Sequence, residues 1–179
     1  YKNLAEVLQA FAITSHASYW LVPEFLEVRA TFREEMEFSL REFVYEESEY
    51  AVCETIIFPV LREVYRYHNH QLMLWSHKSI YYDDQLCGIP DYLISRRSPL
   101  GKQVFTQPYL VTVEAKKDDF IKGWGQCLAE MVGIQKLNQN PHQRVFGIVT
   151  NGQLWQFAML VEKNFTQELS AYTISDLDS

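Results

Sequence analysis

The spacing of apolar residues predicts a chain in which helices and strands alternate. Apolar positions recur at helical intervals in three stretches, which predicts helices over residues 3–12, 47–67 and 120–138. Runs of apolar, β-branched and aromatic residues bounded by turn residues predict strands. These runs cover residues 71–80, 92–94, 109–116, 145–149 and 154–160. Asn151-Gly152 joins the last two strands as a hairpin, because both residues accept a positive φ.

The two ends of the chain have weaker patterns. Pro23 interrupts residues 19–40, where charges are dense, and we expect one further helix from about residue 23 to residue 41. Residues 1–44 therefore read as a helical N-terminal extension and residues 45–179 as the core of one compact domain. Near the C-terminus, the apolar residues of a polar tail suggest a last edge strand. These residues are Leu169, Tyr172 and Ile174.

Two of the predicted strands carry acidic residues at one end. Asp91 directly precedes Tyr92, and Glu114 and Lys116 close the strand over residues 109–116. Side chains alternate between the two faces of a strand, so Glu114 and Lys116 share a face. If the two strands pair, the Asp91 carboxylate joins them, and two carboxylates with a main-chain carbonyl are the oxygen ligands that Mg²⁺ prefers. This combination suits the metal-assisted hydrolysis of a phosphodiester.

These residues resemble the signature of the PD-(D/E)XK nuclease superfamily, in Pro90-Asp91 and in Glu114-Ala115-Lys116. The predicted order of elements is similar to the core of that family, αβββαβ. Within the superfamily, residues 45–160 look most like the N-terminal nuclease domain of type I restriction motor subunits and related uncharacterised bacterial proteins. The further positions that match are Glu49 before Pro59-Val60-Leu61, residues 148–152, Trp155 and Phe157. The resemblance implies a restriction endonuclease-like α/β (α+β) fold, with a mixed central sheet flanked by helices.

The resemblance also implies a metal site. Asp91, Glu114 and the carbonyl of Ala115 would bind Mg²⁺, with Mn²⁺ as an alternative, and Lys116 would orient or activate a water molecule. In the family, a glutamate of the first core helix often lies beside the metal. Glu49 is the first choice for this position in the present chain.

Two helix positions stay open at this point. Glu54 is the alternative to Glu49, because it lies on a neighbouring face of the same predicted helix. Several branches of the superfamily place a glutamine of the later helix at the site and a tyrosine four residues further on. Gln126 occupies the glutamine position here, but residue 130 is Glu rather than Tyr.

The net charge of −7 argues against a generic nucleic-acid binder, but the charge is unevenly distributed. Residues 1–68 carry 6 Lys and Arg against 12 Glu, whereas residues 95–144 carry 8 Lys and Arg against 4 Asp and Glu. We expect phosphate contacts from the second region, although a solvated basic surface explains the same pattern. The expected contact residues are Arg96, Arg97, Lys102, Lys117 and Lys122.

Other features of the sequence narrow the alternatives. Cys53, Cys87 and Cys127 are odd in number and show no CxxC spacing, which argues against a disulfide framework or a zinc site. His68 and His70 have no third ligand nearby in the sequence. No apolar run approaches the ~20 residues of a membrane helix, and nothing at the start resembles a signal peptide, so we expect a cytoplasmic protein with no membrane partner.

Together, these observations predict a Mg²⁺-dependent nuclease that cuts phosphodiester bonds in nucleic acid, with DNA favoured over RNA. A catalytically inactive nuclease-like fold that binds nucleic acid or protein is the alternative. A second copy of the chain or accessory subunits are further partners that the sequence leaves open.

Overall fold

The computed structural model describes residues 1–174 as helices packed on both faces of a mixed β-sheet. The five helices are α1 (Leu4–Phe11), α2 (Ala30–Glu42), α3 (Glu49–Val52), α4 (Phe58–His68) and α5 (Phe120–Asn138). A π-helical turn, Cys53–Ile57, joins α3 to α4. The mixed α/β class predicted from the sequence is confirmed. The last five residues of the predicted tail, 175–179, lie outside the described residues.

Eight strands form the central sheet, and two more form a small hairpin. The first group is β1 (Thr14–Ser18), β2 (Leu72–Ser76), β5 (Tyr92–Arg96), β6 (Tyr109–Ala115), β7 (Val145–Thr150), β8 (Leu154–Val161), β9 (Asn164–Glu168) and β10 (Tyr172–Thr173). The order across the sheet is β1-β9-β8-β7-β6-β5-β2, and β10 pairs with β8. The hairpin consists of β3 (Ile80–Tyr81) and β4 (Cys87–Gly88).

The central strands set the geometry of the site. β5 and β6 are antiparallel, whereas β6 and β7 are parallel and are connected through α5. The carboxyl ends of β6 and β7 therefore lie side by side at one edge of the sheet, where α/β proteins commonly bind ligands. From α3 to β7 the main elements follow the predicted order αβββαβ, with the β3–β4 hairpin inserted between the first two strands.

Each face of the sheet has its own apolar core. α1 and α5 cover one face, where Leu128, Met131 and Phe165 are fully buried. α2, α3 and α4 cover the other face, where Ile56 and Val113 are fully buried. Trp155 belongs to this second core, which agrees with the prediction that it packs rather than stacks on bases.

The predicted helix over residues 47–67 is divided in the structure. Ser48 caps its start, because the Ser48 hydroxyl accepts a hydrogen bond from the Ala51 main-chain N–H. The π-helical turn then separates α3 from α4, and Pro59 lies in the first turn of α4, where its missing N–H costs no hydrogen bond. The sequence predicted a bend at Pro59, and the interruption instead begins at Cys53.

The N-terminal extension differs from the prediction in two ways. The helix expected from residue 23 begins only at Ala30. In addition, the first 44 residues are not wholly helical, because β1 pairs in parallel with β9 and forms an edge of the central sheet. All five side chains of β1 are exposed, so the strand has no apolar alternation that a sequence pattern would detect.

The remaining strands differ from expectation mainly at their ends. β2 ends at Ser76, and Ile80 belongs to the β3–β4 hairpin instead of the first strand. The predicted last edge strand is present in part, since Tyr172 pairs with Trp155 in β8 and Leu169 lies between strands. Within residues 1–174, no helix combines the length and the apolar character needed to cross a bilayer.

Candidate active site

The pairing of β5 with β6 brings the two predicted motifs together. Tyr92 lies opposite Val113, so Asp91, one residue earlier, reaches the end of β6. One oxygen of its carboxylate, Oδ2, accepts a hydrogen bond of 2.8 Å from the main-chain N–H of Ala115. Asp91 is thus anchored beside the strand that carries Glu114, as the sequence predicted.

Lys116 lies between two glutamates that come from different elements. Its Nζ is 3.4 Å from Oε2 of Glu114, which is only 3% exposed, and 3.7 Å from Oε2 of Glu49 at the start of α3. The other oxygen of Glu49 accepts a hydrogen bond of 3.4 Å from the main-chain N–H of Lys117. Glu49 thus contacts Lys116 and Lys117, whereas Glu54 lines a groove beside α2.

A fourth acidic residue, Glu130 of α5, completes the group. Its carboxyl group accepts a hydrogen bond from the Thr112 hydroxyl and hydrogen-bonds to the carboxyl group of Glu114. We call Asp91, Glu114 and Glu49, whose charges act on Lys116, together with Glu130, which joins them through Glu114, the carboxylate cluster. The sequence analysis noted Glu130 only as a departure from a family pattern. Its position four residues after Gln126, one helical turn along the same face, was the available signal.

The charges of the cluster are unbalanced. Burial raises the pKa of Glu114, and the nearby negative charge of Asp91 raises it further. Burial and the Glu114 charge together raise the pKa of Glu130 well above the ordinary value of a glutamate. Burial alone would lower the pKa of Lys116, but the charges of Glu114, Glu49 and Asp91 outweigh it, and the pKa of Lys116 is raised. Lys116 is therefore a cation at neutral pH.

Helix α5 leaves room for the Lys116 side chain at one glycine. A Cβ atom at Gly123 would lie 2.8 Å from Cγ of Lys116 and 2.8 Å from Cγ1 of Val149. Carbon atoms in contact cannot lie so close together. Only glycine therefore fits at position 123 while the Lys116 side chain keeps its present conformation. The backbone of α5 thus approaches the cluster as closely as it does because residue 123 has no side chain.

His77 is a second neighbour that the sequence analysis did not identify. Its Nε2 lies 3.6 Å from Oδ1 of Asp91, and its main-chain N–H donates a hydrogen bond of 2.9 Å to the Asp91 carbonyl. The Ser76 hydroxyl lies 2.8 Å from Nδ1 of the same ring. His77 has a positive φ of 49°, which turns the chain after β2 toward Asp91. A polar residue after a strand is too common for sequence alone to reveal this contact.

Gln126 lies near the cluster, but within residues 1–174 it forms no hydrogen bond with Asp91, Glu114 or Lys116. It lines a cleft of about 250 Å³ between α5 and the β3–β4 hairpin, together with Glu130 and Lys122. Its Oε1 is buried and makes no hydrogen bond to any residue that the structure describes. Gln126 therefore lacks the contact expected for a supporting role at the metal site, and its side chain lines the cleft instead.

The basic residues divide into two groups. Lys117 and Lys122 are exposed and lie at the cluster end of the sheet. Arg96, Arg97 and Lys102 lie at the opposite end, because β5 runs away from Asp91 and Arg96 is its last residue. At a rise of ~3.3 Å per residue, Asp91 and Arg96 are about 16 Å apart along the strand. The loop after β5 is thus not beside the cluster, contrary to expectation.

The guanidinium of Arg97 has a structural partner. Its Nη1 donates a hydrogen bond of 2.8 Å to the main-chain carbonyl of Asn69 at the end of α4. This contact ties the loop to the helix and reduces the freedom of Arg97 to meet a phosphate. Arg96 and Lys102 are exposed.

Within residues 1–174, no three or more His, Cys, Asp or Glu side chains are arranged as a metal-binding group. His68 and His70 are both exposed. No protein-family model matches the chain, and no curated protein does either. The function must therefore be argued from the geometry of the carboxylate cluster and its surroundings.

Proposed function

We propose that this protein is a metal-dependent nuclease that hydrolyses phosphodiester bonds in DNA. The observation that carries the proposal is the carboxylate cluster, in which carboxylates from α3, β6 and the residue before β5 lie around Lys116, and one from α5 joins them through Glu114. These residues are separated by as much as 81 positions along the chain, from Glu49 to Glu130, yet they meet where β6 ends. A simple core would not place so many carboxylates together.

The donor set fits a hard divalent cation. Even with Glu130 neutral, Asp91, Glu114 and Glu49 face the single positive charge of Lys116, so one further cation would relieve their mutual repulsion. Asp91, Glu114 and the main-chain carbonyl of Ala115 would hold Mg²⁺ or Mn²⁺ through oxygen atoms. When bound, such an ion polarises a phosphate and stabilises charge on the attacking and leaving oxygens.

The protein's own residues have distinct roles in this proposal. Lys116, as a cation, orients a water molecule by donating hydrogen bonds and stabilises negative charge that develops on the phosphate. Glu49 positions Lys116 through the 3.7 Å ion pair, and the exposed Lys117 and Lys122 contact the flanking phosphates.

The proposal is tested with purified protein, plasmid DNA and Mg²⁺. We expect nicking or linearisation that requires the metal and that disappears in Asp91→Ala. A matched control is Asp84→Ala, because Asp84 is an exposed turn residue of the β3–β4 hairpin whose carboxylate accepts a hydrogen bond from the Tyr81 hydroxyl at the surface. Cleavage at the wild-type rate by a folded Asp91→Ala protein would refute the proposal. Loss of metal-dependent cleavage in both Asp91→Ala and Asp84→Ala would also refute it.

A catalytically inactive nuclease-like fold remains the second candidate. It is favoured by one observation, that residues 1–174 contain no group of three or more His, Cys, Asp or Glu side chains arranged around a common metal position. Calorimetric titration with Mn²⁺ separates the two candidates. The nuclease proposal expects binding that Asp91→Ala removes, whereas an inactive module binds no ion at Asp91.

We further infer a cytoplasmic setting for this activity. Each of the three cysteines is a free thiol, and Cys53 and Cys127 are buried, which suits a reducing compartment. Accessory subunits or a second copy of the chain would supply any motor or specificity function.

A further inference from the structure

The cleft beside the carboxylate cluster has the composition of a ligand site. The β3–β4 hairpin supplies one wall through Ile80 and Leu86, and Ile89 extends it, while α5 supplies the other wall. Apolar walls with a few converging polar groups are typical of small-molecule subsites. The volume of about 250 Å³ is below the ~300–1,000 Å³ typical of drug-sized ligands, so the cleft suits one planar ring system.

Gln126 gives this cleft an unsatisfied acceptor. Its Oε1 is buried without a hydrogen-bond partner in the part of the chain that the structure describes. Buried polar atoms are nearly always paired, so an unpaired one calls for a ligand that donates a hydrogen bond there. Gln126 and Lys122 lie one helical turn apart on α5, which places a cationic side chain next to the acceptor.

The cleft is continuous with the proposed catalytic site. Glu130 lines the cleft and also hydrogen-bonds to Glu114 of the carboxylate cluster. Gly88 lies on the opposite wall, and a Cβ atom there would be 3.6 Å from Oε1 of Glu130. Three residues later the same segment reaches Asp91. A group held in the cleft is therefore a direct neighbour of the group held at Asp91 and Glu114.

We propose that the cleft binds one unpaired nucleobase of the substrate strand, whose Watson–Crick edge donates a hydrogen bond to Oε1 of Gln126. This inference rests on the proposed nuclease function, which makes the neighbouring ligand a phosphodiester. Every nucleobase carries an N–H group on that edge, so the contact tolerates all sequences. The edge is free only when the base is unpaired, and the enzyme therefore prefers single-stranded DNA or frayed ends to intact duplex.

Binding can be measured without cleavage in an Asp91→Asn background. The asparagine side chain keeps an oxygen that accepts the hydrogen bond from the Ala115 N–H, so the local fold is retained. Fluorescence anisotropy with a labelled 12-nucleotide strand and with the matching duplex gives the two affinities. We expect the single strand to bind about tenfold more tightly, a factor typical of one stacked base.

The role of Gln126 is tested in the same background. Gln126→Ala is expected to weaken binding of the single strand about tenfold and to leave duplex binding unchanged. Gln126→Met keeps the length of the side chain without the acceptor and should behave the same way, and unchanged duplex binding by both variants excludes a folding defect. Gln9→Ala, at an exposed glutamine of α1, is the matched control.

An abasic scan identifies the occupant of the cleft. One abasic position in the strand should lower the affinity of the Gln126 protein, and Gln126→Ala should be insensitive to that position. Equal affinity for strand and duplex, or the same abasic profile in both proteins, would overturn the inference. Failure of the nuclease proposal looks different, since wild-type protein would then bind the strand through Gln126 but cut nothing in Mg²⁺.

Discussion

Arg29 and Lys116 each face a buried glutamate, but the two ion pairs have different geometry and different charge balance. Nε of Arg29 lies 2.9 and 3.0 Å from the two carboxylate oxygens of Glu63, and the Glu63 pKa is lowered chiefly by these hydrogen bonds. Lys116 approaches Glu114 and Glu49 only to 3.4 and 3.7 Å, and the Glu114 pKa is raised by burial. Both carboxylate oxygens of Glu63 accept hydrogen bonds from Arg29, whereas Lys116 lies near one oxygen of Glu114 and one oxygen of Glu49.

This difference distinguishes a structural ion pair from a site that can accept another ligand. Arg29 satisfies Glu63 completely with one guanidinium, which joins the segment before α2 to α4. The carboxylate cluster keeps more negative than positive charge in a partly buried place, an arrangement that costs free energy and is typical of functional sites.

The largest effect is expected for Lys116→Ala. Removing the cation from the carboxylate cluster should lower the rate of Mg²⁺-dependent cleavage by about 10³-fold, because the substrate phosphate loses its charged neighbour. The melting temperature should also fall, because the buried Glu114 carboxylate loses its cationic neighbour, so cleavage is compared at a temperature where circular dichroism shows both proteins folded. Lys2→Ala, at an exposed lysine outside the cluster, is the control. A Lys116→Ala protein that cuts DNA at the wild-type rate would contradict the assignment.

The next effect tests the space that α5 leaves for Lys116. In Gly123→Ala the new methyl group would collide with Lys116 and Val149, so we expect about tenfold slower cleavage and a loss of roughly 1–3 kcal/mol in stability. Gly133→Ala on the same helix meets only ordinary contacts of 3.7–3.9 Å with Leu86 and Ile80, and should gain roughly 0.5–1 kcal/mol. Equal behaviour of the two variants in cleavage assays and urea unfolding would count against this account.

Arg29→Ala should affect stability without affecting the site. Glu63 is 3% exposed, and its carboxylate would lose its partner, so the melting temperature at pH 7 should fall. The Glu63 pKa is lower in the folded protein, so the pair stabilises the fold above the unfolded pKa, and this contribution disappears as the pH falls through the folded pKa. Thermal melts from pH 7 to pH 3 should therefore bring variant and wild type together. A difference in melting temperature that stays constant over this pH range would exclude the ion pair between Arg29 and Glu63 as the cause of the difference.

The smallest effect is expected for Glu130→Gln, and it has the opposite sign. The Glu130 pKa is raised in the folded protein, so the ionisation of Glu130 destabilises the fold as the pH rises through that value. The glutamine removes this cost, so the variant should melt at a higher temperature than wild type at pH 8. The difference in melting temperature between Glu130→Gln and wild type should disappear as the pH falls toward about 4.3, the pKa of a glutamate in the unfolded chain. A lower melting temperature at pH 8 would show that Glu130 is needed as an ion.

Local patterns in the sequence were enough to find the centre of the site. Alternation along β6 placed Glu114 and Lys116 on one face, and strand pairing brought Asp91 to them. The basic loop was misplaced for a related reason, since local patterns do not show at which end of the sheet a connection lies. The antiparallel register of β5 and β6 puts Arg96 beside the loop and Asp91 at the other end.

The contributions that sequence did not reveal come from tertiary packing. Glu130 enters the cluster only because α5 crosses β6 where Thr112 and Glu114 face it. His77 reaches Asp91 through a positive φ after β2, a conformation for which histidine has only a weak preference. The π-helical turn before α4 contains buried apolar residues just as the flanking helices do. The apolar pattern along the sequence is therefore continuous across the turn and does not reveal it.

The parallel pairing of β1 with β9 joins parts of the chain that lie about 150 residues apart, Thr14 with Asn164 and Ser18 with Glu168. During synthesis on the ribosome, β1 cannot join the sheet until the chain has emerged as far as Glu168. A shortened protein that begins at Glu49 would uncover the outer side of β9 and offer its free main-chain groups to another molecule, which favours aggregation. Mapping of the minimal active fragment should therefore start upstream of Thr14.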